Sequence, residues 1–143
     1  MAKPIGDGFV LVDDGVLLDS QAPFVGVIVP EARARGFYWG DHGKTQGYFS
    51  PTVEQVLVVA KALRERSWTQ YPGIGKRLHV YRYHVVGLVM DGRRVLFLNG
   101  FCDARGDWYR KTVSIDDGGD CYFQLSFDPS TNAELKLTVN GEG

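Results

Sequence analysis

A stripe of apolar side chains between residues 51 and 66 restricts the fold of this chain more than any other feature. Its members are Val53, Val56, Leu57, Ala60 and Leu63. They recur at intervals of three or four residues, which places them on one side of an amphipathic helix. Ser50 is expected as the N-cap, and Pro51 as the first helical residue, where a missing backbone N–H costs nothing. Because such a stripe must be buried, the helix needs another element to pack on.

The second half of the chain predicts the sheet on which this helix packs. Two strand-like stretches, His79 to Met90 and Arg94 to Phe101, flank Asp91-Gly92, a strong β-hairpin signal. Residues 121–128 and 133–139 alternate apolar with mainly polar side chains, a pattern typical of a half-exposed antiparallel pair. A short edge strand is expected over Lys111 to Ile115. The predicted fold is α+β: one amphipathic helix packed on a four- to five-stranded antiparallel sheet.

The first 49 residues give weaker signals. Phe9 to Val12 and Val16 to Leu18 flank Asp13-Asp14-Gly15, which predicts a hairpin, and Phe24 to Val29 has the composition of a buried strand. Gly36 to Tyr48 is rich in glycine and aromatic residues and is expected to be a loop. The length of 143 residues fits a single domain over 1–143, with a β or irregular segment at 1–49 and the helix and meander at 50–140.

The order of one helix followed by an antiparallel meander resembles the cystatin-like architecture over about residues 50–140. Cystatin inhibitors carry Gln-x-Val-x-Gly at the tip of the first hairpin, whereas the tip here is Asp91-Gly92. The resemblance therefore implies the fold and not the inhibition of cysteine proteases. The strings around Asn99-Gly100-Phe101-Cys102, Asp117–Phe123 and Asn140-Gly141 also look like those of small uncharacterised bacterial proteins.

The distribution of charge argues against a dedicated nucleic-acid binder. The net charge is −1, although residues 60–111 carry eleven Lys or Arg and only four Asp or Glu. Neighbouring strands bring the acidic flanks beside this segment, so a balanced surface is the simpler interpretation. No apolar run approaches the ~18 residues of a membrane span, and no signal peptide is visible at the N-terminus. We therefore expect a cytoplasmic location and no membrane partner, or a periplasmic or secreted protein if a leader has been removed.

The two cysteines, Cys102 and Cys121, are expected at the ends of neighbouring strands. They could form a disulfide in an oxidising compartment or remain two buried thiols, and the sequence leaves both alternatives open. A thiolate of either cysteine paired with His84 is a conceivable nucleophile across adjacent strands.

Other candidate chemistry is weak. Gly43-Lys44-Thr45 lacks the earlier glycine and the βαβ context of a phosphate loop. No serine lies in a Gly-x-Ser-x-Gly elbow, and no histidine spacing predicts a metal site. The acidic run Asp116 to Asp120 suggests calcium only faintly, because it lacks the spacing of an EF-hand. We expect no cofactor.

The aromatic residues before the helix carry the main functional prediction. Phe37, Tyr38 and Trp39 are consecutive in a glycine-flanked loop, and aromatic and Arg side chains are typical of interface centres. An equally good interpretation is that the loop folds back and caps one end of the sheet. The predicted binding residues are Phe37, Tyr38, Trp39, His42, Lys44, Arg93, Arg94 and Trp108. We expect a non-enzymatic protein-binding module, of the inhibitor or immunity type, with another protein as its partner. The alternative is a small-ligand-binding or hydrolytic domain with a pocket between helix and sheet, lined by His84 and Tyr83.

Overall fold

A computed structural model describes residues 2–15, 23–38, 40–112 and 119–140. Eight strands form one sheet in this part of the chain: β1 Ala2–Gly6, β2 Phe9–Asp13, β3 Val25–Ile28, β4 Gly47–Phe49, β5 Arg82–Met90, β6 Arg93–Phe101, β7 Tyr122–Asp128 and β8 Ala133–Val139. Two α-helices, α1 Val53–Glu65 and the short α2 Pro72–Gly75, accompany the sheet. The described residues contain no helix with the length and apolar character needed to span a membrane.

The strand order is β1-β2-β3-β5-β6-β7-β8, with β4 pairing with β5 outside this path. All pairings are antiparallel except the parallel pair β3–β5. The α+β class and the mostly antiparallel sheet agree with the prediction, but the predicted number of four to five strands is wrong. The four additional strands all come from the first 49 residues, in which short strands and irregular segments obscure any regular periodicity.

The N-terminal hairpin turns earlier than predicted. Asp7 and Gly8 both have positive φ, at 55° and 85°, and they connect β1 with β2. This is the backbone conformation that a two-residue hairpin turn requires. The same conformation at Asp91-Gly92 connects β5 with β6 and confirms the predicted central hairpin. The proposed partner strand at Val16 to Leu18 lies outside the described residues.

Helix α1 lies where the apolar stripe predicts, but it begins two residues later than expected. Thr52, not Ser50, is the N-cap: its side chain accepts a hydrogen bond from the backbone N–H of Gln55, whose side chain accepts one from the N–H of Thr52. This reciprocal capping box satisfies two helix-terminal donors. Ser50 instead accepts a hydrogen bond from the N–H of Glu31 at 2.8 Å, so Pro51 precedes the helix.

Apolar clusters cover both faces of the sheet. On the face toward α1, here called the helix face, Val56, Val59, Ala60 and Leu63 pack on side chains from β5, β6 and β7. On the opposite or outer face, a 3₁₀ segment at Glu31–Phe37 covers Val86, Leu88, Val95 and Phe97, with Trp108 and Tyr109 packed at the side of this cluster. Long strands buried on both faces explain the continuous apolar character of β5 and β6.

Two smaller predictions differ from the structure. His79 belongs to a 3₁₀ turn, Leu78–Val80, and not to β5, so it does not share a strand with His84. The expected edge strand at Lys111 to Ile115 falls mostly outside the described residues, and its described part, residues 111–112, is not a strand.

Candidate binding groove

A depression of about 460 Å³ lies on the outer face of β6, β7 and β8, beside residues 38 and 40–44. We call it the outer groove. It is lined by Tyr38, Gly40, Asp41, Lys44, Met90, Val95, Phe97, Gln124, Ser126, Leu135, Lys136 and Thr138. A volume of this size is within the range of ligand-binding sites in proteins.

The floor of the outer groove is mainly polar, because Gln124 and Ser126 of β7 face this side together with Lys136 and Thr138 of β8. Leu135 also lies there, at the register shift between β7 and β8. Cross-strand register aligns His84 with Asn99, Asn99 with Gln124, and Gln124 with Thr138. These four residues form a row across the sheet that passes from a fully buried histidine to an exposed threonine. Gln124 donates a 3.1 Å hydrogen bond to the Oδ1 atom of Asn99. With its amide nitrogen engaged, Gln124 keeps its carbonyl oxygen as an acceptor for a ligand.

Aromatic contacts hold one wall of the outer groove. The ring of Tyr38 meets that of Phe97 edge to face, with centroids 4.9 Å apart, and lies 5.1 Å from the ring of His42. The Nδ1 atom of His42 is 2.7 Å from the hydroxyl of Tyr48 on β4, which anchors the segment to the sheet. A β-carbon at Gly40 would overlap the Tyr38 ring, so only glycine permits this close passage. Burial raises the pKa of Tyr38, so its hydroxyl stays protonated.

The charged side chains of the outer groove favour a negatively charged ligand. Lys44 and Lys136 are exposed, and neither has an ion-pair partner within the described ranges. Asp41 also lines the groove, but its carboxylate accepts a hydrogen bond from the N–H of Gly43 at 2.8 Å. At the hairpin end, Arg93 is paired with Asp128 at 3.3 Å. Two lysines against one engaged carboxylate leave a positive balance.

His84 is sealed beneath the aromatic cover of the outer face and is 0% exposed. Its Nε2 atom lies 2.6 Å from the carbonyl oxygen of Trp108, and the rings of Phe37 and Phe101 each lie 5.0 Å from it. Its Nδ1 atom is buried and has no hydrogen-bond partner. Burial lowers the pKa of His84 to about 4, against a weaker opposing effect of the Trp108 carbonyl. The imidazole is therefore neutral at pH 7, with the Nε2–H donating to Trp108.

Cys102, directly after Phe101, and Cys121, directly before Tyr122, are joined by a disulfide beside the last residue pair of β6 and β7. The backbone N–H of Cys102 also donates to the carbonyl of Cys121 at 2.9 Å. The bond closes the loop that carries Trp108, and with it the cover over His84. Neither sulfur is a thiolate, so the conceivable Cys–His84 nucleophile is absent from this structure.

The predicted binding residues do not form one surface. Phe37 is only 3% exposed and packs on Phe9 and His84, so its side chain lies in the apolar cluster of the outer face. Trp39 lies outside the described residues. Trp108 is half-buried against His84 and Phe101.

Of that predicted set, Tyr38 and Lys44 line the outer groove, and His42 supports it. Arg93 and Arg94 are neighbours in sequence, but they face opposite sides of the sheet. Arg93 meets Asp128 on the outer face, whereas the guanidinium of Arg94 lies 4.7 Å from the centre of the Phe49 ring on the helix face. The predicted basic hairpin edge is therefore divided between the two faces.

The expected pocket lined by His84 and Tyr83 does not exist, because the two residues are on opposite faces of β5. Tyr83 is buried on the helix face, where its ring stacks on that of Phe24 at 4.7 Å. The space beside it, toward Ala60 and Leu63, measures only about 10 Å³. Within the described ranges, no group of three His, Cys, Asp or Glu residues could hold a metal ion. Asp120, from the acidic run, pairs with Arg77 at 2.8 Å.

Sequence reasoning missed most of the groove floor: Gln124, Ser126, Leu135, Lys136 and Thr138. The alternation that predicts β7 and β8 already separates one polar face, but it cannot show that this face is concave. No family model, no curated protein and no solved structure matches this chain, so the cystatin-like resemblance gains no support from these comparisons.

Proposed function

We propose that this chain is a non-enzymatic protein-binding module, of the inhibitor or immunity type, and that its partner occupies the outer groove. The outer groove is the observation that carries the proposal. It combines an apolar wall from Tyr38, Met90 and Phe97 with a hydrogen-bonding floor and two exposed lysines. Aromatic and Met side chains are enriched at protein interfaces, and lysines at the rim select a partner by charge.

The state of the reactive side chains favours binding over catalysis. Both cysteines are engaged in a disulfide, and His84 is enclosed and neutral at pH 7. The titratable groups that line the outer groove are Tyr38, Asp41, Lys44 and Lys136. Tyr38 is held in its protonated form, so this set provides charge and hydrogen bonds rather than a nucleophile with its base.

Binding of a small molecule in the outer groove is the second candidate function. A volume of about 460 Å³ would accommodate an apolar organic anion, with its charged group on Lys44 or Lys136. This proposal moves the ligand from the helix face, where the sequence predicts it, to the outer face.

The disulfide favours an oxidising compartment over the cytoplasmic location expected from the sequence. Structural disulfides persist in secreted and periplasmic proteins and are rare in reducing cytosol. This supports the proposal that the chain acts outside the cytoplasm.

Site-specific photocrosslinking tests the proposed function. A benzophenone side chain is introduced at Leu135 in the outer groove, which is 40% exposed, and at Val58 on α1, which is 36% exposed and serves as the control. After irradiation in an extract of the source cells, we expect a discrete protein adduct from position 135 and none from position 58. Equal labelling at both positions, or no adduct at 135, would refute the assignment of the partner to the outer groove.

A further inference from the structure

The two edges of the sheet differ in their capacity to accept another strand. β1 contains Pro4, which has no backbone N–H to donate, and its pairing with β2 shifts register between Pro4 and Gly6. β8 contains seven residues without a proline, and within the described ranges it pairs with β7 alone. Its pairing also shifts register once, at Leu135, so that only residues 136–139 form a regular ladder with β7. Because both edges carry a register shift, the difference between them is Pro4, which blocks strand addition at β1. The regular part of β8, residues 136–139, is therefore the edge that remains open to pairing.

The hydrogen-bond pattern of β8 identifies the backbone groups that face away from β7. The N–H of Asn140 donates to the carbonyl of Tyr122 at 2.9 Å, which makes this a hydrogen-bonded pair of the antiparallel ladder. Such pairs alternate along the ladder. The N–H and C=O groups of Leu137 and Val139 consequently point away from β7, toward the open edge.

A cleft lies on each face of the sheet beside this edge. On the outer face, Leu135, Lys136 and Thr138 line the outer groove. On the helix face, a second cleft of about 230 Å³ lies between the end of α1 and β7, and Leu63 and Phe127 form part of its wall. Successive side chains of a strand point to opposite faces. A strand added to β8 would place alternate side chains in the two clefts.

The two clefts call for different side chains. Lys136 and Lys44 give the outer groove a positive balance, which favours acidic side chains. The helix-side cleft is apolar at Leu63 and Phe127. Of its three charged residues, Arg66 and Glu134 pair with each other at 2.5 Å, and Glu65 adds an exposed negative charge. The cleft therefore favours apolar side chains and disfavours acidic ones.

Resting on the proposed function, we propose that the partner binds by adding an extended strand to β8, with acidic side chains toward Lys136 and apolar side chains toward the helix-side cleft. The main-chain hydrogen bonds of Leu137 and Val139 supply affinity, and the two clefts supply specificity. Lys136 also disfavours the binding of a strand with basic side chains, because like charges opposite each other destabilise a strand pair.

Capped synthetic peptides of about nine residues, long enough to span β8, test this proposal. One alternates valine with glutamate, the second alternates valine with lysine, and the third is the glutamate peptide methylated on alternate backbone nitrogens. Each is titrated into the full chain labelled with ¹⁵N, and amide shifts and hydrogen exchange are recorded. We expect the glutamate peptide to protect the amides of Leu137 and Val139, the lysine peptide to bind at least about tenfold more weakly, and methylation to abolish binding.

Two variants sharpen the titration. Lys136→Glu is expected to lower the affinity for the glutamate peptide by about tenfold or more and to raise the affinity for the lysine peptide. Lys3→Glu on β1, the matched lysine at the other edge, is expected to change neither affinity.

Strand addition is refuted if the glutamate peptide does not bind, if it binds equally well when methylated, or if its shifts fall elsewhere. It is also refuted if sedimentation shows that the chain is a dimer and the dimer already protects the amides of Leu137 and Val139 from exchange. A crosslink from position 135 combined with failure of the peptides would leave the proposed function standing and remove strand addition alone. Failure of both experiments would remove both proposals.

Discussion

The neutral state of His84 makes the stability of the fold depend on pH in a window that is characteristic of this residue. Its pKa is lowered from 6.5 to about 4 because burial disfavours the imidazolium form. Above pH 6.5 the residue is neutral in both the folded and the unfolded chain, and the full stability is present. As the pH falls from 6.5 to 4, the unfolded chain takes up this proton first, so the free energy of unfolding decreases.

The size of the effect follows from the pKa difference. A shift of about 2.5 units corresponds to about 3 kcal/mol of stability lost by pH 4. Urea unfolding at a series of pH values between 7 and 4 measures this loss. His84→Gln, which retains a hydrogen-bond donor for the Trp108 carbonyl, removes the titrating group, and His79→Gln is the control at an exposed histidine.

We expect the free energy of unfolding of the wild-type protein to fall more steeply than that of His84→Gln between pH 6.5 and 4, and His79→Gln to follow the wild type. Carboxylates such as Asp128, whose pKa hydrogen bonds from Ser130 lower, act equally in all three proteins. Parallel curves for the wild type and His84→Gln over this window would refute the argument that a sealed, neutral His84 contributes the pH dependence.

Three further predictions concern the stability of the fold. Replacing Cys102 and Cys121 with alanine removes a cross-link over 19 residues and is expected to lower the free energy of unfolding in urea by about 3 kcal/mol. An equal urea midpoint of the wild-type protein with and without reductant would contradict this prediction. Gly87→Ala places a β-carbon 2.8 Å from the Phe49 ring and should lower the free energy of unfolding by about 3 kcal/mol, with faster amide exchange in β4. The control Gly36→Ala, whose β-carbon meets no atom within 4 Å, should leave the stability unchanged. Thr52→Ala breaks the capping box of α1 and should lower stability by about 1 kcal/mol, measured by thermal unfolding against the wild type.

The parts of the fold that local sequence patterns predict are those in which each residue's role depends on its neighbours along the chain. The stripe of α1 and the Asp91-Gly92 turn are examples, since helix periodicity and the left-handed turn conformation are local properties. The parallel pairing of β3 with β5 depends on residues more than fifty positions apart and leaves no local signal. Ser50 and Thr52 are both good caps, but Gln55 lies three residues after Thr52, which is the local signature of a capping box, whereas Val53 lies three residues after Ser50. The contact between Ser50 and Glu31 is the tertiary reason that Ser50 does not cap α1.

The outer groove also depends on contacts between residues that are distant in sequence. The polar face of β7 is evident from alternation, but a concave site also needs the wall at Tyr38 and Met90, which tertiary packing brings beside it. The consecutive aromatic residues at 37–38 are evident in the sequence, but the burial of Phe37 depends on its contacts with Phe9 and His84 from distant strands. The sequence therefore predicts which polar and aromatic residues could form a site. It predicts the face of the sheet on which a residue lies only where that residue belongs to a regular strand.

The affinity of the crosslinked partner for charge variants of the two edges tests the central claim most directly. With the partner purified, its dissociation constant is measured for the wild type, for Lys136→Glu in the outer groove and for Lys3→Glu on β1. If the partner binds in the outer groove, its affinity should fall by about tenfold or more for Lys136→Glu and should not change for Lys3→Glu. Unchanged affinity for Lys136→Glu, or equal losses for both variants, would contradict it.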